Sequence, residues 1–252
     1  MKKKILRYYN SYEDDFVTSN KQDYKLKDTY KWIHKNIFYI ILSYILYWII
    51  FVIAFIYSKL ILKVKVRNKK ILKGYKSYYL YGNHTQEIGD IFDIPSITFP
   101  KRPYYICSPS NLGIPILGKI LPFVGALPIP SSIDKMKEFK EAIHKRDKNH
   151  PIIIYPEAHV WPYCTFIRDF PSTSFHFPVE GNIPVFVMTR VYKKNKRNKL
   201  RIEIIIDGPF NIKENLSKKE NIQYLRDIVY ETMVNRSSES NYQYIEYKKK
   251  EE

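Results

Sequence analysis

The run Asn83-His84-Thr85-Gln86-Glu87-Ile88-Gly89-Asp90 puts an imidazole at the mouth of a short strand-like segment, Tyr78-Tyr79-Leu80-Tyr81, with a carboxylate six positions on. A histidine held by a carboxylate is a general base, because the carboxylate fixes the tautomer and stabilises the imidazolium formed when a hydroxyl proton is taken. Glu87, three positions from the histidine, competes with Asp90 for that role. On a regular helix, steps of about 100° would leave His84 and Asp90 a third of a turn or more apart. The first residues after His84 must therefore be loop, and Gly89 gives the backbone the freedom this needs. A second polar island, Tyr155-Pro156-Glu157-Ala158-His159, follows the apolar run Pro151-Ile152-Ile153-Ile154. Two strands that each end in titratable residues suit an α/β sheet with its site at the carboxyl ends of the strands.

In this order, about 70 residues apart, the two islands resemble the motifs of the bacterial glycerolipid acyltransferase family, which includes the lysophosphatidic acid acyltransferases. The family's Asn-His-x4-Asp motif corresponds to Asn83-His84 with Asp90, one residue longer here, and its Pro-Glu-Gly-Thr-Arg motif to Pro156-Glu157-Ala158-His159-Val160. Residues 121–130 resemble the family's middle block, and Asn182-Ile183-Pro184-Val185-Phe186-Val187 its last apolar block. The resemblance implies a mixed sheet flanked by helices, with His84 as base and Asp90 as its orienting partner. It also implies that Asn83 sets the histidine loop and that Glu157 holds the acceptor or a loop beside the base. His159, next to the Pro-Glu dipeptide, is a supporting candidate. Two arginines of the family pattern, suited to gripping an acceptor phosphate, are absent: Pro130-Ser131-Ser132 and Ala158-His159-Val160 stand in their place. Arg168, Lys101, Arg102 and Lys119 are the candidates to replace them.

The elements that position these groups begin with an anchor. Residues 37–57 run without a charge, flanked by Lys31 and Lys35 before and Lys59, Lys63 and Lys65 after. A helix of about 20 residues at 1.5 Å each reaches about 30 Å, enough to cross a hydrocarbon core. Tyrosines and Trp48 stud the segment, as at membrane interfaces. It is read either as one membrane helix or as a re-entrant pair of shorter helices with Asn36 or Ser43 near the bend. No cleaved leader is expected, since acidic Glu13, Asp14 and Asp15 precede the segment and no small-residue cleavage pattern follows it. Residues 1–66 then form a polar head and anchor, 67–236 an α/β domain, and 237–252 a polar, frayed tail. Strands are expected at 104–107, 184–191 and 200–206, with a solvated turn between the last two. Ser132 is read as capping a helix to about Lys148 with Ile133, Met136, Phe139 or Lys140, and Ile143 on one face, and Ser217-x-x-Glu220 as a capping box. Gly and Pro among aliphatics at 108–130 suit either an acyl-lining surface or a buried connection.

The 42 Lys and Arg against 25 Asp and Glu leave a net charge of +17. Such an excess attracts anionic headgroups, acidic carrier proteins or nucleic acid. The basic residues are spread along the chain and no nucleic-acid motif accompanies them, so nucleic acid is not an expected partner. Two cysteines provide neither a disulfide framework nor a metal spacing and suit a reducing compartment. No metal or redox cofactor is expected. The sequence reads as a membrane-bound O-acyltransferase with its domain on the cytoplasmic side, working on membrane lipids. It would move a fatty acyl group from acyl-CoA or acyl carrier protein to a hydroxyl of a lysophospholipid or related lipid. The competing readings are an inactive membrane protein of the same fold and a hydrolase using the same pair.

Overall fold

The structure, a computed structural model, describes residues 5–17 and 23–250. In chain order the elements are β1 (Ile5–Tyr9), α1 (Ile37–Ile56), β2 (Lys65–Arg67), β3 (Tyr79–Gly82), α2 (Gly89–Thr98), β4 (Tyr104–Cys107), α3 (Leu117–Ile120), β5 (Ala126–Pro128), α4 (Met136–Arg146), β6 (Ile152–Ile154), α5 (His176–Gly181), β7 (Val185–Lys194), β8 (Leu200–Phe210), α6 (Lys218–Ser237) and β9 (Ile245–Lys249). Seven strands make one mixed sheet in the order β2-β8-β7-β3-β6-β4-β5, parallel from β7 to β5 and turned antiparallel at β8.

The central strand explains why this sheet is covered on both faces. Tyr79 and Tyr81 point to a core built with Phe139, Ala142 and Ile143 of α4 and Leu225, Val229 and Met233 of α6. Leu80, one step out of phase, points to the opposite core with Ile94 and Ile97 of α2. All three are fully buried, the near-continuous apolar reading expected of a parallel strand sandwiched between helices. α6 starts at the expected capping box, with Ser217 and Glu220 exchanging side-chain and backbone hydrogen bonds. The helix expected from Ser132 begins later. Residues 133–135 form a tight 3-10 turn, so Ile133 is 89% exposed and the buried face is Phe139, Ala142 and Ile143.

Leu26 and Trp32, ahead of α1, are buried in the first core, and the Trp32 indole donates to the Pro128 carbonyl at 2.8 Å. The expectation of a frayed tail is corrected: β9 pairs in parallel with β1.

The charge-free segment forms one continuous helix, α1 with a π-helical turn Tyr57–Ile61, and not a pair. Asn36 caps its start by accepting from Phe38 N and Tyr39 N. Ser43 causes no bend; its hydroxyl lies 2.6 Å from the Phe123 carbonyl. One face of the helix is held along the domain, through Ser43, Tyr47, Ala54 and Ser58 and through ring contacts of Tyr39 with Phe123, Phe51 with Phe99 and Tyr57 with Phe92. The other face, including Ile41, Ile45, Ile49 and Val52, is exposed and apolar.

At the far edge Glu239 ties the end of α6 to the sheet. Its carboxylate lies 2.7 Å from Lys193 and 2.6 Å from Arg67. The hydrogen bonds from Lys193 and Arg67 lower its pKa from 4.5 to about 2. A depressed carboxylate contributes stability above its unfolded pKa and loses it as pH falls through the folded value. Glu239→Gln should therefore flatten the acid loss of stability between about pH 4.5 and 2, as followed by denaturation across that range, and change little at neutral pH beyond the removed ion pairs.

Candidate active site

His84 lies in the loop that leaves β3, and residues 83–88 are irregular before α2 starts at Gly89. That loop brings His84 Nδ1 to 2.7 Å from Asp90 Oδ2, while Glu87 is exposed on the outside of the turn. The same carboxylate oxygen accepts from Thr85 N at 2.8 Å and Gln86 N at 2.9 Å. Asp90 thus shapes the loop that presents its own partner. An ionised carboxylate can only accept, so the proton of a neutral His84 sits on Nδ1 and the Nε2 lone pair is free to act as a base. The imidazole side chain is 18% exposed and that of Asp90 1%.

Burial opposes ionisation of Asp90, but the Arg190 guanidinium and the His84 contact outweigh it and hold the carboxyl below its ordinary value. Arg190 was not among the residues singled out from sequence. It stands on β7 two residues beyond Met188, which registers with Gly82 of β3, and so reaches the level of His84. Its Nη2 lies 2.8 Å from Asp90 Oδ1 and its Nη1 2.6 Å from Asp93 Oδ2. Burial acts against its charge, yet the two carboxylates raise its pKa further. The signal was a lone arginine in the apolar run 185–192, where a charge must find a partner.

Tyr155 is the second missed residue. Its ring stacks on His84 with centroids 4.5 Å apart and planes 19° from parallel, and its hydroxyl donates to the Asp90 carbonyl at 2.6 Å. Gly82 makes this approach possible: a Cβ there would come within 2.9 Å of the Tyr155 ring and 2.5 Å of Met188 Cε.

Asn83, Glu157 and Arg168 bond to the loops around His84. Asn83 is buried, accepting from Arg190 N at 2.7 Å and donating to Arg190 O at 3.1 Å. Glu157 accepts from His84 N and from Arg168 N, each at 2.8 Å, so it clasps the two loops together. Arg168 is 1% exposed; its guanidinium meets Glu157 at 3.2 Å, packs 4.8 Å over the Trp161 ring and donates to the His159 carbonyl. With its donors turned inward, it does not replace the missing phosphate-gripping arginines in this arrangement. His159 points away to Asp15, 2.5 Å distant. Ala158, where the family motif has glycine, adopts a left-handed φ of 61°, a conformation that costs a residue with a Cβ about 1–2 kcal/mol. Lys101 reaches the Tyr75 carbonyl, Lys119 is exposed, and Arg102 lies at the other end of the sheet. Among the described residues no cluster of His, Cys, Asp or Glu is arranged to hold a metal.

No protein-family model matches this sequence, and no curated protein matches it. Among solved structures, the 1-acyl-sn-glycerophosphate (LPA) acyltransferase PlsC from Thermotoga maritima is similar, with a TM-score of 0.52 and 14% identity over 82% of this chain and 98% of that one. The two share a fold. That fold is a mixed sheet flanked by helices, and in this chain a long apolar helix, a candidate membrane helix, precedes it.

Arg190→Leu should leave Asp90 and Asp93 buried without their counter-charge and cost about 3–5 kcal/mol of stability, the penalty for breaking a buried pair from one side. Urea denaturation of the folded variant measures it, and a loss below about 1 kcal/mol would show that the carboxylates do not depend on Arg190.

Proposed function

We propose that this chain is an O-acyltransferase that moves a fatty acyl group from an acyl thioester to a lipid hydroxyl. The observation that carries the reading is the 2.7 Å contact of His84 with buried Asp90, at the carboxyl end of the central strand, on a fold shared with an LPA acyltransferase. His84 Nε2 takes the acceptor's hydroxyl proton as the oxygen attacks the thioester carbonyl. Asp90 stabilises the imidazolium, and the proton then passes to the departing thiolate. Base catalysis of this kind contributes about 10²–10⁴ in rate, so positioning and oxyanion stabilisation supply the rest. The acceptor we assign is a lysophospholipid or related lipid, and the donor acyl-CoA or acyl carrier protein. We place the domain on the cytoplasmic side.

Attachment follows from α1. Because one face packs on the domain from Tyr39 to Tyr57 while the other is apolar and exposed, the helix suits lying along one leaflet better than crossing it alone. Exposed Ile88 and Ile91, in and just before α2, and Phe99 just after it extend that apolar surface, and they flank the loop that carries His84. Water-insoluble acceptors could then reach the base without leaving the lipid.

With labelled acyl thioester and a panel of lysolipids, wild-type protein should form acylated lipid. His84→Ala should lose at least about 10²-fold in turnover while still folding. Asp90→Asn should also lose orders of magnitude, and Glu87→Gln little. Retention of more than about a tenth of turnover by His84→Ala would sink general-base catalysis by this residue, and release of free fatty acid alone would make the chain a hydrolase.

Ile45→Glu with Ile49→Glu should move the protein from the membrane pellet into the soluble fraction without lowering its melting temperature, since both side chains face outward. Unchanged membrane partition would place the anchor elsewhere.

A further inference from the structure

A cavity of about 170 Å³ lies beneath the first half of α1, walled by Tyr39, Ser43 and Tyr44 of the helix and by Tyr104. Two arginines, Arg102 and Arg146, line it. It sits at the amino ends of the parallel strands: Tyr104 registers with Ile152, which registers with Tyr79, five residues before His84. At about 3.3 Å per residue along a strand and two strands across, it is roughly 15–20 Å from the base. That distance separates it from the acyl-transfer site.

The charge of this cavity is unbalanced. Arg102 is 8% exposed, and its Nη2 reaches only neutral oxygens, Ser43 Oγ and the Phe123 carbonyl, each at 2.7 Å. Arg146 donates to the carbonyls of Ala142 and Trp32. Among the described residues no carboxylate pairs with either, and the Nε of each is buried without a partner. The nearest carboxylate in sequence, Asp147, is turned to the Tyr79 hydroxyl at 2.7 Å and to His144. Both guanidinium groups pack near the Tyr104 ring, at 5.4 and 4.9 Å from its centroid. Burial and then the charge of Arg102 lower the pKa of Arg146, and burial followed by both arginines pushes His150 below its ordinary value. Elsewhere in this molecule buried arginines are answered by acids: Arg190 by Asp90 and Asp93, Arg168 by Glu157. Two cations facing one cavity without an anion make a site whose natural complement is missing among the described residues.

We propose that this cavity binds a phosphate group, that of an anionic phospholipid head group. Its size, below the roughly 300–1,000 Å³ of pockets for drug-sized ligands, suits a small anion with a short substituent. Arginine is the side chain best matched to phosphate oxygens. The lipid source follows from the rim. Tyr44 at the edge is 48% exposed, and Ile41 and Ile45 beside it on α1 are 50% and 52% exposed. A lipid whose chains lie on that face would bring its phosphate to the opening. Ser43, a polar residue inside an apolar helix, has a role here: it fixes the Arg102 guanidinium in the cavity wall.

The test is calorimetric titration of the detergent-solubilised full chain with two probes, dihexanoyl phosphatidylglycerol and inorganic phosphate. Wild-type protein should bind the lipid saturably, and Arg102→Gln and Arg146→Gln should each weaken it about tenfold or more. Arg146→Lys, which keeps the charge, should lose less. Arg146 is only half-buried, so its variants carry the test if Arg102→Gln does not fold. Inorganic phosphate binding as tightly as the lipid, with the same sensitivity to the arginines, would keep the phosphate site and replace its source by a soluble anion. No saturable binding by wild-type protein, or binding unchanged in both folded Gln variants, would overturn the proposal. His84→Ala should bind both probes like wild-type, so failure of acyl transfer and failure of this site are read separately.

Discussion

Arg190 is a full positive charge inside the protein, and the loop that offers His84 exists in its present form because of how that charge is neutralised. Asp90 and Asp93 lie on successive turns of the start of α2 and meet the two ends of one guanidinium. The helix is thereby pinned against β7, and Asn83 closes the ring by bonding both backbone groups of the same arginine. A carboxylate bound to arginine on one oxygen and to imidazole and two amides on the other has almost no freedom left. Such a partner cannot swing away from the histidine, and a fixed partner holds the imidazole in one tautomer.

Much of this was legible in the chain. Residues 104–107 and the two long strands near the end announce themselves by apolar runs between Pro, Gly and charged turns, and the capping box of α6 is a local pattern with a local cause. The need for a loop between His84 and Asp90 follows from helix geometry alone. What escaped was non-local. Tyr155 stacks on His84 only because Gly82, on the neighbouring strand, leaves the space. By sequence Glu157 suits either the acceptor or a loop, and Arg168 is a candidate to replace a missing arginine; in the fold the two pair with each other and Glu157 bonds the loops around them. A buried ion pair and a ligand-binding pair have the same residue types; only the direction of the side chains separates them.

The anchor illustrates a similar ambiguity. Length and apolarity of residues 37–61 permit a span. The packed face, marked by Ser43, Tyr47, Ala54 and Ser58 at spacings of four and seven residues, is a weaker signal than the apolar run around it. It binds the helix to the domain all along its length, so helix, His84 loop and the apolar residues around α2 form one surface.

The pairing of β1 with β9 joins residues from opposite ends of the chain. With it come Asp14 and Asp15 against Trp161 and His159, and Tyr247 donating to the Pro162 carbonyl. During synthesis the first strand has nothing to pair with until the last one has been made, whereas α1 is complete after about a quarter of the chain. The apolar face of α1 is therefore formed early, and the strap over the Pro-Glu loop closes last. A molecule caught part-way would present that face with the Pro-Glu loop still uncovered.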